Sequence, residues 1–150
     1  MKLAQALTER SEIQKKVEEL STRLSNNAKV QEGEKPSEDP QALVTELNSA
    51  LDRLEFLMAR INLTNSKTLV DGVTVTELIA RRDCLKKRLG IMRGFLDRAS
   101  SRVDRYSKTE IRIVATVDVA ELQRQLDQVS KELRQTDEKI QELNWTTELM

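Results

Sequence analysis

Apolar residues recur at alternating steps of three and four along most of this 150-residue chain. A three-four repeat forms the seam by which α-helices pack against one another, as in coiled coils, so it constrains the fold more than any other feature of the sequence. The repeat is interrupted in three places, and the sequence therefore predicts long helices joined by three connections. The stretches that carry the repeat are Leu3–Leu24, Leu43–Ile61, Leu78–Val103 and Val119–Leu143.

The three connections differ in character. Residues 27–40 contain Gly, Pro and several acidic residues, which predicts an acidic loop ahead of the second helix. Asp71-Gly72 lies between β-branched residues and predicts a β-hairpin over 68–75, because both turn positions of a tight hairpin require positive φ. Apolar residues alternate along 110–117, which predicts a short strand able to pair with that hairpin.

Each connection allows the chain to turn back antiparallel. We therefore predict a mainly α fold, an elongated up-down bundle of four long helices with a small β-hairpin and strand element at one end. The length suits a single domain over residues 1–150. Leu51 and Met58 widen the apolar stripe of the second helix, which predicts that this helix contacts more than one neighbour. The predicted helices lie near 3–26, 41–62, 76–104 and 118–143.

The residue types present argue against catalysis. The chain has no His, and Cys84 is its only Cys. The lack of His removes the commonest general base and the commonest zinc ligand, and it leaves the Cys84 thiol without a His to activate it. We predict a non-enzymatic protein with no catalytic residues, no metal site and no cofactor. A lone thiol suits a reducing compartment, which predicts a cytoplasmic location.

The chain shows no pattern typical of export or membrane insertion. Its first residues run into Thr8, Glu9 and Arg10 before the apolar core of a signal peptide develops. No apolar run approaches the roughly 18–20 residues of a membrane span. The 25 basic and 25 acidic residues balance, so the net charge gives no reason to expect nucleic acid as a partner.

Charge is nevertheless uneven along the chain. Residues 76–108 hold ten Lys or Arg against four Asp or Glu, whereas residues 118–150 hold four against eight. One interpretation pairs the basic third helix with the acidic fourth helix and the acidic loop, within or between subunits. The other is a surface for phosphate or nucleic acid, which is disfavoured because the basic residues lie all around the helix.

Two glycines lie inside the predicted third helix, on the face opposite its apolar seam. Gly90 and Gly94 should each cost the helix roughly 1 kcal/mol relative to Ala. Glycines four residues apart let two helix backbones approach closely, and Ile91 and Phe95 lie beside them off the seam. This pattern predicts a homo-oligomer interface at Gly90, Ile91, Gly94 and Phe95. The alternatives are a helix kink or a tolerated glycine pair.

Charged side chains also occupy two seam positions, Arg10 and Arg82. A buried guanidinium without a carboxylate is too costly to persist. Each Arg therefore lies at an open end of the bundle or has an acidic partner.

Polar residues cluster around the predicted hairpin, where a small anion or a nucleotide is a possible ligand. Capping and turn hydrogen bonds explain the same residues without a ligand. The possible ligand-binding residues are Asn62, Asn65, Arg81, Arg82 and Tyr106.

Several segments together resemble the septicolysin-type family of bacterial proteins, along essentially the whole chain. That resemblance implies a pore-forming cytolysin with a membrane as its partner, although most members are described only as a domain of unknown function. It supplies no catalytic residue to transfer. The segments that carry the resemblance are Asn27–Glu34, Glu38–Pro40, Arg60–Ser66, Leu78–Asp83, Tyr106–Ile111, Thr116–Val119 and Asn144–Leu149.

The sequence thus leads to three hypotheses about function. The first is a non-enzymatic helical protein that self-assembles through its third helix. The second, implied by the resemblance alone, is a cytolysin-like protein that acts on membranes. The third is a protein that binds a small ligand or a nucleotide at the polar hairpin end.

Overall fold

The computed structural model describes residues 1–101 and 111–150, and these residues form four long α-helices and two short strands. The prediction of a mainly α fold with four long helices and a small β-hairpin is confirmed. The helices are α1 (Leu3–Asn26), α2 (Pro40–Lys67), α3 (Val75–Ser100) and α4 (Val119–Thr146), and the strands are β1 (Leu69–Val70) and β2 (Val73–Thr74).

The chain divides into two compact units. Unit 1 comprises residues Met1–Val75 and Glu142–Met150, and unit 2 comprises residues Thr76–Gln141. Unit 1 therefore holds α1, α2, the hairpin and the end of α4, whereas unit 2 holds nearly all of α3 and most of α4. That residues 1–150 act as a single domain stays a prediction.

In unit 1, α1 and α2 pack antiparallel along their predicted seams. Glu9 of α1 pairs with Arg53 of α2 at 2.6 Å, and Lys16 further along α1 pairs with Glu46 nearer the start of α2 at 2.8 Å. The order of these two ion pairs along α1 is therefore the reverse of their order along α2. The seam between the two helices is apolar, and four of its buried side chains form one core: Leu3, Ala6, Leu57 and Ile61.

Residues 27–39 join α1 to α2 where the sequence predicts an acidic loop over residues 27–40, and the end of this segment is tied back to α1. The Nδ2 of Asn27 donates to the Arg23 carbonyl at 2.9 Å, and its Oδ1 accepts a hydrogen bond from the Glu38 amide at 3.0 Å. The Arg23 guanidinium donates to both carboxylate oxygens of Glu38 and lowers the pKa of that carboxyl. These contacts hold the chain in place as it enters α2.

The hairpin predicted over residues 68–75 is also confirmed. β1 and β2 pair antiparallel, with Leu69 opposite Thr74. Asp71 has φ 52° and Gly72 has φ 80°, so both central turn residues adopt the positive φ that a two-residue turn of type I′ requires. The Asp71-Gly72 pair therefore correctly predicts the backbone conformation of this turn.

The last residues of the chain pair with the first ones in unit 1. The Leu3 amide donates to the Thr147 carbonyl at 2.9 Å, and the Leu149 amide donates to the Met1 carbonyl at 2.8 Å. The Leu149 side chain packs against the buried core that contains Leu57. Residues 147–150, which we call the C-terminal tail, therefore help to enclose the core of unit 1.

Glu148 of the C-terminal tail should make the stability of the protein depend on pH. Its carboxylate accepts a hydrogen bond from Lys2 at 2.7 Å and a second from the Met1 amino group at 3.1 Å, and these lower the pKa of Glu148 below its usual value of 4.5. A lowered pKa in the folded state stabilises the protein above the unfolded-state pKa, and this stabilisation is lost as pH falls through the folded-state pKa. We expect Glu148→Gln to lower the free energy of unfolding at pH 7, and the difference from wild type to vanish as pH falls below 4.5.

Urea unfolding at a series of pH values measures this difference. Glu138→Gln is the control, because Glu138 lies on the surface of α4 with its closest ion pair, to Arg134, at 3.8 Å. A pH-independent difference between wild type and Glu148→Gln would contradict the assigned contact.

In unit 2, α3 and α4 pack antiparallel through large aliphatic side chains. Arg81 and Arg82, near the start of α3, reach Glu132 at 3.7 Å and Asp137 at 3.8 Å in the second half of α4. These contacts support the interpretation that pairs the basic third helix with the acidic fourth, and they give Arg82 the acidic partner that its seam position requires. The buried core consists of Leu85, Leu89, Leu96, Leu126 and Val129.

The strand predicted over residues 110–117 is wrong for the part of it that the structure describes. Residues 111–117 form no strand, and Ile111 and Ile113 are 80% and 68% exposed. A strand needs a neighbour to supply hydrogen bonds, and within the described ranges β1 and β2 pair only with each other. Apolar alternation alone therefore gave a false signal.

Helix ends differ from the predictions by a few residues. α2 ends at Lys67 rather than at 62, and α4 ends at Thr146 rather than at 143. α3 is helical to Ser100, and the end predicted for it at 104 lies outside the described residues.

Candidate functional site

The side of α3 turned away from the core of unit 2 carries exposed apolar residues. Ile91 is 74% exposed and Phe95 is 47% exposed, although both lie well inside the helix. Because an α-helix turns about 100° per residue, they lie away from Leu85, Leu89 and Leu96, which form the core. We call this surface the α3 outer face and define it by five exposed residues: Cys84, Gly90, Ile91, Gly94 and Phe95.

Packing within the chain does not require either glycine of the α3 outer face. A Cβ atom built at Gly90 or at Gly94 meets no atom within 4 Å, and neither residue adopts a positive φ. Alanine would therefore fit both positions and stabilise the helix by about 1 kcal/mol at each. A second helix backbone that approaches closely is one physical reason for glycine at both positions.

Several charged residues of α3 form no ion pair with another described residue. Of the basic residues of α3, Arg81 and Arg82 contact acidic residues of α4. Asp97 forms no ion pair within residues 1–101 and 111–150. The same holds for the five other basic residues of the helix: Lys86, Lys87, Arg88, Arg93 and Arg98.

A groove of about 590 Å³ opens between α1 and α2 in unit 1. Its charged side chains are already paired, because Lys16 contacts Glu46 and Arg53 contacts Glu9. The hydrogen bond from Arg53 lowers the pKa of Glu9, and the one from Lys16 lowers the pKa of Glu46. A general acid that works near neutral pH needs a raised pKa, so neither carboxylate is suited to that role.

The predicted ligand-binding residues belong to different units of the chain. Asn62 and Asn65 lie on α2 in unit 1, Arg81 and Arg82 lie on α3 in unit 2, and Tyr106 lies outside the described residues. The side chains of Arg81 and Arg82 already contact acidic residues. A ligand site built from all five residues stays a prediction.

Three buried polar atoms have no hydrogen-bond partner in the described part of the chain: Nε of Arg10, Oδ1 of Asn65 and Oγ1 of Thr68. Asn65 and Thr68 lie three residues apart at the end of α2, where the preceding Thr64 is fully buried. Among residues 1–101 and 111–150 Arg10 has no acidic partner, which was one of the two settings predicted for it. Among the described residues no group of three or more His, Cys, Asp or Glu side chains could hold a metal ion.

The apolar side chains that widen the stripe of α2, for which the sequence predicts a second neighbour, form an exposed stripe instead. Val44, Leu51 and Met58 follow one another at steps of seven and are 39%, 42% and 45% exposed. In unit 1, α2 packs against α1 and β2, which leaves this stripe open.

Comparison with known proteins gives two matches. A model of a family described as a family of unknown function (DUF6847) matches residues 10–149. The crystal structure of a functionally unknown conserved protein from Corynebacterium diphtheriae is similar at 44% sequence identity and a TM-score of 0.90, over 100% of this chain and 99% of that chain. None of the proteins with curated descriptions matches the chain.

The resemblance to septicolysin-type proteins is wrong. The family that matches is a different one, and the similar solved structure is of a functionally unknown protein, so neither finding links the chain to septicolysins. The expected pore-forming activity and membrane partner rested on that resemblance alone. None of the described helices carries an apolar stretch long enough to cross a membrane.

Proposed function

The chain belongs to the family of unknown function DUF6847, and we propose that it is a non-enzymatic helical protein that associates with a second copy of itself through the α3 outer face. The observation that carries the proposal is the exposure of Ile91 and Phe95, 74% and 47%, beside two glycines that no contact among the described residues requires. Exposed apolar side chains that lie side by side mark interaction surfaces more often than scattered ones do.

The size of the surface suggests a reversible association. Covering an exposed Ile or Phe side chain contributes roughly 1–2 kcal/mol, and close approach at the glycines adds van der Waals contacts. One pair of helices buries less area than the roughly 1,600 Å² of a standard stable interface. We therefore expect a dimer that forms in the micromolar range and dissociates on dilution.

The remaining parts of the proposal rest on composition and on the thiol. The chain has no His, so an enzymatic role would have to use other groups. Cys84 is a free, exposed thiol, which suits a reducing compartment, and we place the protein in the cytoplasm. The balance of 25 basic and 25 acidic residues gives no support for nucleic acid as a partner.

Sedimentation velocity over a concentration series tests this function. We expect wild type to shift from monomer to dimer in the micromolar range, and Ile91→Glu to raise the dissociation constant at least tenfold because it places a carboxylate in the contact. Ile111→Glu is the matched control, since Ile111 is 80% exposed and lies outside α3.

Far-UV circular dichroism checks that both variants keep their helix content. Wild-type protein that stays monomeric at every concentration would contradict the proposed function. So would an Ile91→Glu variant that dimerises as wild type does.

A further inference from the structure

The pattern of charges on α3 specifies how two copies would meet. Lys86, Gly90 and Asp97 lie on one side of the helix, because steps of four and seven residues return to the same side. Neither Lys86 nor Asp97 has an ion pair among the residues that the structure describes. They are eleven residues apart, about 16 Å along the helix, so they cannot pair with each other in one chain.

We infer that the α3 outer faces of two copies pair antiparallel about a two-fold axis beside Met92, with Lys86 of each copy opposite Asp97 of the other. This inference rests on the proposed function and names the partner surface for it. The partner is the same face of a second copy of this chain.

Charge decides between the two possible directions. In a parallel pair, the two-fold axis runs along the helices and sets the flank of Lys86 against the flank of Arg88 of the second copy at nearly the same level, and like charges at such close range repel. In an antiparallel pair that sets Gly90 opposite Gly94, Lys86 comes within one residue of the level of Asp97 on the same flank. Lys86 and Asp97 of each copy then gain a partner of opposite charge, and the two-fold axis gives the dimer two such pairs.

The same arrangement accommodates the apolar residues. Ile91 comes within one residue of the level of Gly94 of the second copy, where the missing Cβ leaves room for its side chain. Arg88 and Phe95 share the opposite flank of the α3 outer face, and the antiparallel register brings Arg88 of one copy beside Phe95 of the other, within reach of a cation–π contact. The register therefore fits the two faces in shape and gives Asp97 of each copy a cationic partner.

A two-fold pairing of this kind is closed, because each copy uses the same surface and leaves none free for a third. We therefore expect a dimer as the end state rather than a filament. Lys87 and Arg98 lie near the middle of the face and keep their charged ends in water by extending along its edges.

A charge-exchange experiment tests the register. We expect Lys86→Glu and Asp97→Lys, each alone, to raise the dissociation constant about tenfold, because each change sets like charges opposite each other at two places. The double variant Lys86→Glu/Asp97→Lys should recover most of the wild-type affinity. An equimolar mixture of the two single variants should form a mixed dimer, since each then supplies the charge that the other lacks.

Lys131→Glu is the control, because it makes the same charge change on an exposed position of α4. Sedimentation velocity measures association, and circular dichroism checks that the helices persist. If wild type dimerises but the single variants do so equally well, or the double variant does not recover, the antiparallel register is wrong while self-association stands. If wild type never dimerises, the proposed function fails as well.

Discussion

Leu57→Ala should lower the free energy of unfolding by about 3–4 kcal/mol. Leu57 is fully buried and packs with Leu3 and Ile61 in the core between α1 and α2. Its removal costs the transfer energy of the lost methyl groups and leaves a cavity beside Leu3 and Ile61. Chemical denaturation followed by circular dichroism measures the change.

Leu51→Ala is the matched control for this prediction. It makes the same substitution in the same helix, six residues away, at a side chain that is 42% exposed. We expect it to cost less than about 1 kcal/mol, because a half-exposed side chain loses little burial and leaves no enclosed cavity. Equal losses for the two variants would show that the core of unit 1 does not lie where the structure places it.

The period of the apolar residues predicted the helices well because helix packing depends on that period directly. Leu20, Leu57 and Leu89 are all seam residues, and all three are buried. The period says little about where a helix ends. Thr64 lies in a polar run that suggested a loop, yet its hydroxyl donates to the Arg60 carbonyl at 2.8 Å. Because this hydroxyl finds a hydrogen-bond acceptor within the helix, Thr64 does not end the helix.

The two β predictions had opposite outcomes for a physical reason. The hairpin signal depends on two adjacent residues, Asp71 and Gly72, whose preference for positive φ is local. The strand signal over residues 110–117 depends on a partner elsewhere in the chain, which the sequence cannot supply. Local conformation was therefore predictable, whereas long-range pairing was not.

The candidate site shows the same division. Sequence periodicity predicts that Ile91 and Phe95 oppose the seam, and the structure leaves both exposed. Periodicity did not show that Lys86 and Asp97 lack ion pairs among the described residues, because that depends on which acids α4 presents to α3. Glu132 and Asp137 of α4 reach Arg81 and Arg82 instead.

Leu149→Asp should detach the C-terminal tail and lower the free energy of unfolding by about 2–4 kcal/mol. The Leu149 side chain packs against the core of unit 1, and the next amide, that of Met150, donates to the buried Thr64 hydroxyl at 3.0 Å. A carboxylate cannot remain in that core without a cationic partner. The C-terminal tail can detach as a unit. The loss in the free energy of unfolding therefore cannot exceed the free energy with which the tail binds the rest of unit 1.

Hydrogen exchange at the Leu3 amide gives the sharper measurement, because that amide donates to the Thr147 carbonyl at 2.9 Å and should lose its protection when the tail detaches. Met150→Asp is the control, since the Met150 side chain is 50% exposed and its backbone amide is unchanged. We expect Met150→Asp to keep the protection of Leu3 and nearly all of the stability. A protected Leu3 amide in Leu149→Asp would mean that the pairing of residues 147–150 with the start of the chain does not depend on the core contact of Leu149.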